Sequence, residues 1–181
     1  VTSTGGNITL GGGADPATTN TVATATSGND GIQIDGGTLD AVAGDISLRG
    51  SSSLDDGVGI QNGATIQTTS GTISLNGTST TVSGNDGVEI TGIGTTVTSA
   101  TGSISVTGVG FSGDGVDVSS AAVVASTGTA TITIDGTSTA ADQAGVRLQD
   151  TNTQITSVDG DISITGTNNS NLGAFVTSGV E

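Results

Sequence analysis

One phrase recurs six times along this chain: NITLGG from Asn7, DISLRG from Asp45, TISLNG from Thr72, SISVTG from Ser103, TITIDG from Thr131 and DISITG from Asp161. Its template is polar, Ile, Ser or Thr, aliphatic, any residue, Gly. Period-two alternation puts Ile8, Ile46, Ile73, Ile104, Ile132 and Ile162 on one face with Leu10, Leu48, Leu75, Val106, Ile134 and Ile164. Thr9, Ser47, Ser74, Ser105, Thr133 and Ser163 point the other way. The β-branched content and the closing glycine predict short strands that stop at that glycine.

A second phrase leads into each later copy: GIQI from Gly31, GVGI from Gly57, GVEI from Gly87, GVDV from Gly115, GVRL from Gly145 and GAFV from Gly173. Acid or amide turns introduce it at Asn29-Asp30, Asp55-Asp56, Asn85-Asp86 and Asp114. A third strand is expected between the two phrases, with Leu39, Ile66, Val97, Val124 and Ile155 pointing inward. Glycine is expected at the bends, where a positive φ suits it. No run has the length or the 3.6-residue beat of a helix.

A unit of three strands cannot bury its own apolar face, but stacked on copies of itself it can. The expected fold is all-β: a right-handed parallel β-solenoid (β-helix) of about six coils of roughly 30 residues, three short strands per coil. Residues 1–181 form a single segment of it. The recurrent Ile residues are 38, 27, 31, 28 and 30 positions apart, and 27 across a join of Glu181 to Val1. That continuity of phase predicts one unit of a longer tandem or head-to-tail array, with copies of itself as end-to-end partners.

Composition narrows the function. There are 17 acidic residues against 2 basic ones, and no Cys, His, Met, Trp or Tyr. Few aromatics and a net charge of −15 would alone suggest disorder; the repeat argues against it. The same charge repels polyanions and excludes nucleic acid as a partner. The opening has no secretory pattern, and no run of apolar residues is long enough for a membrane span in this segment. Absence of cysteine fits an extracellular repeat.

The NITL, DISL and TISL phrases with their Gly, Ser, Thr and Asn turns resemble the giant repetitive bacterial surface proteins of the filamentous-haemagglutinin and autotransporter-adhesin type, and other β-strand-repeat proteins. That resemblance implies an extracellular filament or adhesin stalk at the cell surface. Its roles would be surface attachment, matrix or sheath, and its partners other cells, surfaces or matrix polysaccharide. The alternative is a passive spacer displaying a distant binding or enzymatic domain. No functional residue is carried over from the resemblance.

The chemistry lies in the acids. Asp30, Asp56, Asp86 and Asp114 align just before the first strand of each coil, and Asp142 is close to the fifth. Carboxylates one rung apart repel, and a hard cation with oxygen ligands, calcium above all, would relieve them. Equally, Asp and Asn favour such turns and splay into water. A calcium-stabilised self-polymerising subunit is therefore a lesser reading, and the glycine-rich nonapeptide calcium motif does not occur.

One outward column should read Gln33, Gly59, Glu89, Asp117, Arg147, Phe175. Glu89 and Asp117 could imitate the acid pair of a polysaccharide-acting β-helix enzyme. Arg147 is expected to neutralise them as a surface ladder, and with no His or Lys the reading is non-enzymatic. Ice binding would need a Thr pair on successive rungs, and on the recurrent strand only Thr131 and Thr133 supply one.

Overall fold

The computed structural model describes residues 1–13, 16–19, 21–80, 84–168 and 173–176. Within them the chain winds through three parallel sheets, and every strand pairs with its equivalent one coil away. The recurrent phrase forms the rungs Ile8–Leu10, Ile46–Ser52, Ile73–Ser79, Ile104–Gly110, Ile132–Ser138 and Ile162–Asn168, stacked in that order. The glycine-led phrase forms Ile32–Asp35, Val58–Gln61, Val88–Thr91, Val116–Ser119, Val146–Leu148 and Ala174–Val176. The third sheet is Thr38–Asp40, Thr65–Thr68, Thr96–Ser99, Val123–Ser126 and Gln154–Ser157. This is a parallel β-solenoid.

Register follows the aliphatic columns. Ile104 lies opposite Ile73 on one side and Ile132 on the other, and all three are fully buried. Val97 sits between Ile66 and Val124 in the same way. Each buried aliphatic contributes about 1.5–3 kcal/mol only while a neighbouring coil covers it. The exposed edge illustrates this: Ile162, in the last rung, is 42% exposed where Ile132 is 0%.

Gly36, Gly63, Gly92 and Gly94, at the bends between the glycine-led and third sheets, have the expected positive φ, but the glycines of the two recurrent phrases behave otherwise. The recurrent strands do not stop at theirs; the four central rungs and the last run seven residues, through Gly50, Gly77, Gly108, Gly136 and Gly166. Nor does any glycine of the two phrases have positive φ. Each is needed for closeness instead. A Cβ on Gly108 would stand 1.8 Å from the carbonyl oxygen of Gly115, and one on Gly115 would stand 2.2 Å from the backbone nitrogen of Thr137. Backbone meets backbone where the long sheet bends into the glycine-led sheet, so the corner closes without side chains.

Central rungs are 27 to 31 residues apart, but the first interval is 38. The excess is an insertion inside a strand. Leu10 pairs opposite Leu48, and the first rung resumes with Ala23 opposite Gly50. Thirteen positions separate the first pair member from the second on one strand, two on the other. The extra chain carries a single helical turn, Pro16–Thr19, which was not expected; proline suits its first position. Arg49 Nη2 donates to the Pro16 carbonyl at 2.6 Å and ties this outgrowth to the sheet. Among the described residues no helix is long and apolar enough to cross a membrane.

Candidate functional site

The corner between the long sheet and the glycine-led sheet concentrates the unusual chemistry. Its turns carry Asp30, Asp56, Asp86 and Asp114 on successive rungs, and none of the four carboxylates splays freely into water. Asp30 Oδ1 accepts the N–H of Asp56 at 3.3 Å, Asp56 Oδ1 that of Asp86 at 2.7 Å, and Asp86 Oδ1 that of Asp114 at 2.6 Å. Asp114 Oδ1 accepts the N–H of Ala144, also at 2.6 Å. Each aspartate thus caps a backbone donor in the coil above. The ladder ends there, because buried Ala144 fills the next position and Asp142 is exposed.

The outward column is in the expected register: Gln33, Gly59, Glu89, Asp117, Arg147 and Phe175 lie opposite one another in turn. Sequence reasoning missed the diagonal that joins the two sets. Each turn aspartate leans toward the column residue one coil on, and that residue decides its surroundings. Asp30 lies over Gly59, where a Cβ would come within 2.2 Å of its Oδ2. Asp56 shares a side-chain hydrogen bond with Glu89. Asp86 clusters with Glu89 and Asp117, one carboxylate oxygen from each lying within 4.8 Å of the others.

Arg147 meets Asp114. Its Nε is 2.7 Å from Asp114 Oδ2, an ionic contact, while Nη2 donates to Oδ1 at 3.0 Å and to Gln143 Oε1 at 2.6 Å. The expectation that Arg147 would neutralise Glu89 and Asp117 holds only in part: its ion pair is with Asp114, and its charge still favours the ionised form of neighbouring Asp117 but not of Glu89. Its guanidinium reaches back to the turn below, because the side chain is long enough to satisfy a buried carboxylate there.

The electrostatics follow the diagonal. Burial and the charges of Asp117, Asp114 and Asp56 push Asp86 up to about 8. Glu89 is raised to about 7 by burial and by Asp56, Asp117 and Asp30. Burial, with neighbouring acids, raises Asp30, Asp56 and Asp117 to about 6. Asp114 is also raised by burial, with its backbone bond to Ala144 and the Arg147 charge pulling the other way. Desolvation and like charges both disfavour the ionised form.

The donors here are carboxylate oxygens, with hydroxyls and carbonyls around them; the chain has no His or Cys. Such a set suits a hard cation and no soft one. Asp30, Asp55 and Asp56 form a second acidic trio lower on the same corner, all half-buried. Comparison of the chain with protein-family models, curated protein sequences and solved structures returns no match.

Proposed function

We propose that this chain is a segment of an extracellular structural rod, a filament or adhesin stalk, whose work is reach and display at a cell surface or in a matrix. The observation that supports this most is the unbroken register of three parallel sheets. Each coil repeats the last, so the body lengthens by about 4.8 Å per coil with its cross-section unchanged. The resemblance of its phrases to haemagglutinin-type surface repeats points the same way.

A catalytic reading is disfavoured because Asp117 is 4% exposed and cannot offer its carboxylate to a polymer lying on the surface. The net charge of −15 keeps neighbouring rods apart laterally.

A tandem duplication of residues 1–181, measured by small-angle scattering beside the single copy, tests the rod. Doubled length at constant cross-sectional radius is expected; two separately tumbling bodies would end the reading. Beads coated with the segment, offered to cells and matrix polysaccharide, separate an adhesive rod from a passive spacer. Capture of either would support adhesion by the rod itself.

A further inference from the structure

We propose that Asp86, Glu89 and Asp117 form a binding site for a hard divalent cation, calcium in the first instance, which joins two coils of the solenoid. Asp86 and Glu89 lie in one coil and Asp117 in the next, so an ion held by all three bridges the stack.

The geometry fits such an ion. Two oxygens bound to one calcium at roughly 2.3–2.6 Å can be no more than about 5 Å apart. One oxygen from each carboxylate lies within 4.8 Å of the others. A separate observation marks this place. Asp117 is 4% exposed, and its Oδ1 is buried with no hydrogen-bond partner. A buried, unpaired carboxylate oxygen among like charges carries a severe penalty unless a positive group meets it. The nearest cationic side chain, Arg147, is turned to Asp114. Gly113 makes room beside the cluster, because a Cβ there would lie 2.6 Å from Asp86 Oδ1. The trio Asp30, Asp55 and Asp56 has no comparable buried unpaired atom among the described residues and supports no second site.

The inference is independent of whether the rod extends. Its test uses the 181-residue chain, stripped with EDTA, dialysed at pH 7.5 in 0.1 M NaCl and titrated with calcium chloride by calorimetry. A saturable site is expected, with Kd on the order of 10⁻⁵ to 10⁻³ M, together with a higher Tm in calcium than in EDTA. Asp117→Asn should weaken binding on the order of tenfold or more, whereas Asp161→Asn, on an exposed position away from the corner, should leave it unchanged. If Asp117→Asn does not fold, Glu89→Gln, at a half-buried position, carries the same expectation. Absence of saturable heat with equal Tm in calcium and EDTA overturns the site, and so does undiminished binding in the folded variant.

Discussion

Two corners of this solenoid solve one problem with different chemistry. Where the long sheet meets the glycine-led sheet, aspartates reach up and cap backbone N–H groups of the next coil. Where the glycine-led sheet meets the third sheet, threonines reach down. Thr95 Oγ1 accepts the N–H of Gly63 at 3.1 Å and Thr153 Oγ1 that of Ala121 at 3.1 Å, and both residues are fully buried. A hydroxyl is neutral, so its stacking adds no field. A carboxylate does the same bonding and adds a charge at every rung. The raised carboxyls are gathered at the acid corner, whereas the threonine corner relies on neutral hydroxyls at Thr95 and Thr153 and adds one exposed carboxylate, Asp150, whose Oδ2 accepts the N–H of Ser120 at 3.2 Å.

The largest effect should come from closing the acid corner's backbone approach. Gly108→Ala is expected to remove about 3 kcal/mol or more, because the Gly115 carbonyl oxygen would lie 1.8 Å from the new Cβ and backbone cannot swing aside, with Val116 Cγ2 close behind at 2.8 Å. Gly5→Ala, with nothing within 4 Å, should change the urea midpoint little. Next comes pH. Unfolded carboxyls titrate near 4, while in the folded corner Asp117 does so at about 6, Glu89 at about 7 and Asp86 at about 8. The native state holds more protons across that window. Stability of the EDTA-treated protein should thus be greatest near pH 4 and fall as pH rises through 6 to 8. Urea midpoints at pH 4.5, 6 and 8 check this; a midpoint that rises with pH would contradict the raised carboxyls.

Thr95→Val sharpens the contrast from the other side. Losing a buried neutral acceptor should cost about 1–2 kcal/mol, equally at pH 4.5 and pH 8. Glu89→Arg would reproduce at Asp56 the pairing that Arg147 gives Asp114. A gain of about 1 kcal/mol at pH 8 is expected in EDTA, shrinking at pH 4.5 where Asp56 is protonated. The smallest effect belongs to Ala121, whose φ of 66° is unfavourable for any residue with a Cβ. Ala121→Gly should stabilise by a few tenths of a kcal/mol, read as a small rise in Tm.

The core columns and the Gln33-to-Phe175 column were legible because period-two alternation repeats once per coil, and a one-residue slip would turn every Ile outward. The work of the recurrent glycines was not legible. Close approach between Gly108 and Gly115 depends on how the chain folds back, which composition at a turn does not encode. The four turn aspartates were visible as a set, yet an aspartate facing water and one capping the next coil look alike in sequence. Their diagonal to the column needed coordinates. Thr95 and Thr153 escaped notice for another reason. They alternate with Ala64 and Ala122 at the same corner, so the signal recurs every second coil, and a comparison at that longer period could have found them.

The split first strand has a consequence for what such a body tolerates. Leu10 and Ala23 keep their partners on one intact neighbouring strand although a whole excursion has been spliced between them. Vertical order is dictated by the layers above and below, and lateral outgrowth is left free. An equivalent mid-strand position in another coil is then a place where extra chain could leave the sheet and rejoin it while the layers above and below keep their register.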